Sequence, residues 1–99
     1  MSKSMIGSRR SAPEIVAEIL GMCLNDAIGK TAIMYRCNLS FEQLQRYLAF
    51  LQAQCLLEKN EAGLFCITPR GQDVLLQVQE LVGLLRDLQE SLQEGGNGI

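Results

Sequence analysis

The sequence predicts an α+β fold, mainly α, in a single domain of 99 residues. Three observations predict it: apolar residues recur at helical spacing in three stretches, two runs of β-forming residues flank Gly63, and a heptad pattern follows Pro69. The order helix, short helix, turn, helix, hairpin, long helix is that of a winged helix-turn-helix with a long C-terminal coiled-coil helix. A generic α+β domain with a hairpin is the alternative.

The first two helices are expected within the first 37 residues. Ser11 can cap a helix that has Pro13 in its first turn, and the apolar periodicity carries this helix to residues 25–29. A second, shorter helix is predicted from Thr31 to Cys37. The winged helix-turn-helix domain is assigned to residues 11–68.

A third helix and a hairpin complete this domain. Ser40 precedes the helix and Gln43 follows three residues later, the spacing of a capping box. The hairpin is predicted from LLEKN and LFCIT on either side of a turn that contains Gly63. The stripe of the third helix that we expect to face the core comprises Phe41, Leu44, Tyr47, Leu48 and Leu51.

The long helix is predicted over residues 69–94, with a flexible tail at 95–99. Thr68 caps it and Pro69 suits its first position. Its heptad seam favours a homodimer through this helix, although packing back on its own domain is the alternative. The candidate dimerisation residues are Val74, Val78, Leu81, Leu85, Leu88 and Leu92.

Charge is unevenly distributed along the chain. The formal net charge is −2, but residues 1–70 carry eight Lys or Arg against six Asp or Glu, and residues 71–99 carry one against five. Residues 1–10 have the polar composition of a flexible basic arm. No apolar run is long enough to span a membrane and the N-terminus lacks a signal-peptide core, so we expect a cytoplasmic protein.

The sequence offers no constellation that suggests an enzyme, a metal or a cofactor. It has no histidine, and its four cysteines form no CxxC pair. Each cysteine stands in or beside an apolar segment, so we expect buried, reduced thiols. No paired carboxylates or glycine-rich phosphate loop are present. A non-enzymatic protein without metal or cofactor is therefore predicted.

The polar side of the third helix indicates double-stranded DNA as the partner. A helix fits the major groove, where Gln45 can pair with adenine and Arg46 with guanine, and we expect Arg46 to be the principal contact. Any solvated helix shows such a side, so a dimeric interaction adaptor that does not bind DNA is the alternative. The candidate DNA-binding residues are Arg9, Arg10, Lys30, Thr31, Arg36, Ser40, Gln43, Gln45, Arg46, Lys59 and Asn60.

Most of the chain resembles a family of archaeal winged-helix proteins related to the ten-kilodalton nucleoid-associated protein. The matching segments are EIVAEIL (14–20), KTAIMYRCNLSFEQLQRYL (30–48), LL (56–57) and ITPRG (67–71). The resemblance implies DNA binding, dimerisation through an antiparallel C-terminal coiled coil, and a role as a transcriptional regulator or nucleoid-associated protein.

Overall fold

In the part of the chain that the structure describes, four helices and a two-stranded sheet follow one another in the order that the sequence predicts. A computed structural model describes residues 10–98, and side chains up to residue 93. The predicted arm, except for Arg10, lies outside these residues. The elements are α1 (Ala12–Met22), α2 (Lys30–Cys37), α3 (Phe41–Ala53), β1 (Leu57–Lys59), β2 (Phe65–Ile67) and α4 (Pro69–Gly98). This mainly helical α+β architecture with a long C-terminal helix confirms the predicted fold class.

The helix starts follow from local hydrogen bonds. At α3 the predicted capping box is present: Gln43 N–H donates to Ser40 Oγ and Ser40 N–H donates to Gln43 Oε1, both at 3.1 Å. Ser11 and Glu14 form the equivalent box at α1. Each box satisfies two backbone donors that the helix itself leaves unpaired.

The first helix ends earlier than the sequence predicts. It stops at Met22 instead of residues 25–29 because the chain must become extended at Ile28. There the backbone N–H of Ile28 donates to the Phe65 carbonyl (3.0 Å), and Phe65 N–H donates to the Ile28 carbonyl (2.8 Å). Ile28 thereby pairs with the sheet through one isolated antiparallel bridge to Phe65.

The hairpin forms the wing. Strands β1 and β2 pair antiparallel, with Leu57 opposite Ile67 and Lys59 opposite Phe65. Asn60 shapes the turn between them, because its Oδ1 accepts hydrogen bonds from the N–H groups of residues 62 (2.9 Å) and 64 (3.0 Å). Gly63 adopts a φ of 82°, which glycine accepts without steric cost.

The core lies between the helices and the inner side of the sheet. Phe41, expected inside, is instead 57% exposed, and Tyr47 is half-buried. The expectation of four buried thiols is also wrong for Cys55, which is exposed, and for Cys66, which is half-buried. The buried residues are Ile15, Ile19, Leu20, Cys23, Ile33, Cys37, Leu39, Leu44, Leu48, Leu51, Leu56, Leu57, Phe65 and Leu75.

Hydrogen bonds tie the end of α3 to the start of α4. The last turn of α3 closes with Cys55 in the left-handed conformation (φ 62°), where glycine is usual. Thr68 Oγ1 donates to the Cys55 carbonyl (2.6 Å) and accepts from the Gly71 N–H (2.9 Å), which confirms the predicted cap. Arg70 Nε donates to the Gln54 carbonyl at 3.0 Å. The start of α4 is therefore bonded directly to the residues that end α3, although the hairpin separates the two helices in sequence.

Gly71 allows this close approach. A Cβ at this position would lie 2.2 Å from the carbonyl oxygen of Leu56 and 2.7 Å from Cγ1 of Ile67. Both distances are far below van der Waals contact, so only glycine fits without a shift. We call the contact of Thr68, Arg70 and Gly71 with residues 54–56, which directly follow α3, the α3–α4 junction.

The long helix α4 packs on its own domain through its first turns and contacts α1 as far along as Arg86. Leu75 is buried, and Val74 packs against the core. Further along, Arg86 donates to Glu14 of α1 at 2.8 Å. The backbone remains helical to Gly98, which includes most of the expected tail. Within the part of the chain that the structure describes, no helix is both long and apolar enough to cross a membrane.

Candidate nucleic-acid interface

The exposed side of α3 carries the polar residues that the sequence assigns to DNA. Leu44, Leu48 and Leu51 bury one side of the helix. At about 100° per residue, Arg46 and Ala49 then point away from the core. Both are exposed, as is Gln45 beside them. The reading surface expected from the sequence is therefore available to solvent.

On one flank, α3 faces two lysines. Lys30 begins α2 and Lys59 ends β1, and with Gln45, Ala49 and Gln52 they line a groove of about 200 Å³. The Lys30 ammonium lies 5.4 Å from the ring centroid of Phe41, and the Lys59 ammonium lies 5.5 Å from that of Phe65. These distances are within the range of cation–π attraction, which keeps the two cations beside the helix. Thr31, exposed next to Lys30, extends this flank.

The capping and turn residues have part of their polar atoms engaged. Gln43 Oε1 accepts from Ser40 N–H, and Asn60 Oδ1 accepts two backbone N–H groups of the wing. Each amide nitrogen keeps its donor hydrogens for another partner. Ser40 and Gln43 thus position the N-terminal end of α3, and Asn60 positions the tip of the wing.

On the other flank, α3 faces α1. Arg46 and Gln43 line a groove of about 460 Å³ together with Tyr47 and Phe50 of α3 and residues 12 and 16 of α1. Phe50 is 54% exposed there. Arg46 consequently stands at the border between this apolar groove and the outer side of α3.

Two predicted arginines lie on a different face of the protein. Arg10 pairs with Glu18 and donates to the carbonyl of Cys37, so it joins α1 to the end of α2. With Arg36 it lines a groove of about 730 Å³ between α1 and α4. The structure therefore does not bring Arg10 and Arg36 together with α3. Arg9 lies outside the described residues.

The candidate dimerisation residues divide into two groups. Val74 and Val78 are half-buried against the domain, whereas the remaining seam residues are exposed. We call the exposed group, with Leu84 beside it, the leucine stripe. Its residues are 47–66% exposed: Leu81, Leu84, Leu85, Leu88 and Leu92.

Besides Phe50, sequence reasoning missed two other exposed aromatic residues. Tyr35 on α2 is 75% exposed, and Phe41 opens α3. Leu39 and Leu44 flank the start of α3 and are both buried, the arrangement of a hydrophobic staple. Recognising this staple would have placed Phe41 outside the core.

The thiols and carboxylates of the described residues suggest no chemistry of their own. Burial raises the pKa of Cys23 and that of Cys37 to about 11, so both thiols are protonated at neutral pH. Among the described residues, no cluster of cysteine and acidic side chains could hold a metal ion.

The comparisons with known proteins agree with this architecture. A family model described as winged helix-turn-helix matches residues 9–86. An uncharacterized protein of Methanocaldococcus jannaschii is 30% identical over 77 residues, which make up 78% of this chain and 36% of that protein. The chain thus spans about a third of the length of this relative.

A solved structure gives an independent likeness in fold. It is the crystal structure of the transcriptional regulator PA3341, with a TM-score of 0.61 and 15% sequence identity. The match covers 87% of this chain and 66% of that one.

Proposed function

This chain belongs to the winged helix-turn-helix family, and from that premise we propose that it is a dimeric protein that binds double-stranded DNA. Its role is that of a transcriptional regulator or a nucleoid-associated protein. The observation that carries the proposal is the position of Lys30 and Lys59, which flank the exposed Gln45 in one groove. Cations beside a polar helix that enters a DNA groove are suited to bind phosphates along one edge of that groove.

In the proposed complex, α3 enters the major groove. Arg46 pairs with guanine and Gln45 with adenine, because each side chain can form two hydrogen bonds to the edge of that base. Ala49 is small enough to let the helix approach the base pairs closely. Lys30 and Lys59 bind phosphates, and these contacts fix the register of the helix without reading sequence.

The second element of the proposal is a homodimer through the leucine stripe. Burying a whole leucine side chain is worth about 1.5–3 kcal/mol, so covering the exposed parts of these five contributes roughly 5 kcal/mol per protomer. The burial free energy summed over both protomers is therefore similar in size to the free-energy cost of association, which is about 4–15 kcal/mol. The dimer is therefore expected to depend on protein concentration. Linking two weakly binding domains would raise the affinity for DNA.

Fluorescence anisotropy of labelled duplex DNA tests the proposal. Lys30 and Lys59, each bound to a phosphate, predict a slope of about −1.8 per domain in log affinity against log salt, or roughly a 12-fold loss in affinity between about 50 and 200 mM salt. Arg46→Ala should weaken binding, while the control Arg36→Ala, on the α1–α4 face, should bind as the wild type does. Wild-type affinity in Arg46→Ala with intact folding would show that the docking is wrong.

The alternative function is a dimeric protein-interaction adaptor. The net charge of −2 favours it, because this charge opposes approach to DNA. The same titration separates the two functions. An absence of binding even at low salt, where nonspecific contacts are strongest, would favour the adaptor.

A further inference from the structure

Phe41 exposes an aromatic ring at the start of α3. It is the first residue of α3 and is 57% exposed, although the apolar residues that follow at Leu44, Leu48 and Leu51 are buried. Leu39, two residues earlier, fills the core at this end of the helix. The core therefore makes little use of the Phe41 ring.

The ring is held beside the proposed DNA surface. The Lys30 ammonium lies 5.4 Å from its centroid, so the phosphate-binding cation and the ring restrict each other's position. Phe41 also stands one helical turn before Gln45, and residues four apart are neighbours on a helix. The ring thus neighbours both the lysine proposed to bind phosphate and the glutamine proposed to bind a base.

We propose that Phe41 contacts the C5-methyl group of thymine in the major groove and makes the protein prefer thymine under the first turn of α3. This assignment rests on the proposed DNA binding. Each unmodified base pair presents hydrogen-bonding groups in the major groove, but only thymine adds an apolar methyl group, which phenylalanine is suited to contact. Gln45, beside Phe41, is suited to adenine, so together the two side chains read a step that contains A·T pairs.

Replacing thymine with deoxyuridine tests the proposal, because this change removes the methyl group and keeps base pairing. Two labelled duplexes of the same alternating A·T sequence, one with thymine and one with deoxyuridine, are titrated with protein at low salt. Burial of one methyl group corresponds to about a four-fold difference in affinity. Each domain of the wild type should therefore bind the deoxyuridine duplex about four-fold more weakly, and a dimer with both domains bound about 16-fold more weakly.

Two variants identify the side chain responsible. Phe41→Ala should bind both duplexes equally, with the affinity of the wild type for the deoxyuridine duplex. Phe50→Ala is the matched control, because it removes an equally exposed ring from the opposite flank of α3 and should keep the preference for thymine. Circular dichroism melting of each variant checks that the fold is retained.

Each outcome has a distinct meaning. If the wild type binds both duplexes equally with the expected salt dependence, the role of Phe41 is refuted and DNA binding stands. If Phe41→Ala weakens binding to both duplexes but keeps their ratio, the ring does not read the methyl group and the proposal is also refuted. If neither duplex is bound at low salt, both this inference and the proposed function fail.

Discussion

Replacing Gly71 with alanine tests how tightly α3 and α4 are joined. The added methyl group would lie 2.2 Å from the carbonyl oxygen of Leu56. That oxygen also accepts the backbone N–H of Thr68 at 3.0 Å, so it cannot move away without weakening this hydrogen bond. The contact must therefore be relieved by a shift of α4 against α3.

The size of the effect follows from two opposing contributions. Alanine gains at most about 1 kcal/mol over glycine in a helix. Overpacking costs about 1–3 kcal/mol or somewhat more, and a contact this short with backbone belongs at the upper end. We expect a net loss of about 1–2 kcal/mol in the free energy of unfolding, which lowers Tm by about 4–16 °C in a domain of this size.

Gly83→Ala provides the matched control on the same helix. No atom lies within 4 Å of a Cβ at this position. Gly83 also lies about 160–200° around the helix from Leu81 and Leu85, away from the leucine stripe. Alanine should therefore raise the free energy of unfolding by up to about 1 kcal/mol. Thermal melts followed by far-ultraviolet circular dichroism compare the two variants, and a Gly71→Ala protein as stable as Gly83→Ala would refute the account of the junction.

Three further predictions concern other parts of the chain. Cys55→Gly should raise the free energy of unfolding in urea by roughly 0.5–1 kcal/mol, since glycine avoids the steric cost of the left-handed conformation; a loss of stability would contradict this. Leu85→Glu should yield monomers in analytical ultracentrifugation, whereas Leu76→Glu, at a leucine that is also exposed but lies outside the leucine stripe, should leave the proposed dimer intact. The Ser11 backbone hydrogen bond and the Arg86 guanidinium lower the pKa of Glu14 below its ordinary value of 4.5. The ionised carboxylate therefore contributes fully to the free energy of unfolding above pH 4.5, and this contribution is lost as the pH falls through the lowered pKa. The stability difference between wild type and Glu14→Gln should accordingly shrink in acid, and a constant difference would show that the charge is not responsible.

Local signals in the sequence predict the helix starts well. Ser40 and Gln43 form the expected capping box because both partners lie within one turn of chain. Thr68 caps α4 for the same reason. Periodicity likewise identifies Leu44, Leu48 and Leu51 as core residues. These features depend on neighbours that are close in sequence, so the sequence alone contains the information.

Features that depend on distant contacts could not be predicted in the same way. The early end of α1 is set by the pairing of Ile28 with Phe65, far along the chain. Cys55 stands among apolar neighbours, but the closing turn of α3 directs it to solvent. In the candidate site, Arg36 and Arg46 carry the same charge, and only tertiary packing separates them onto different faces.

The α3–α4 junction couples the orientation of α3 to that of α4. Rotation of α4 about its axis is transmitted to α3, since Thr68 and Arg70 hold the end of α3 and Gly71 leaves no gap. In the proposed dimer, the length of α4 would then set the distance between the two α3 helices. Each residue of that helix adds about 1.5 Å and about 100° of rotation, so the spacing and the angular phase of the DNA half-sites would change together.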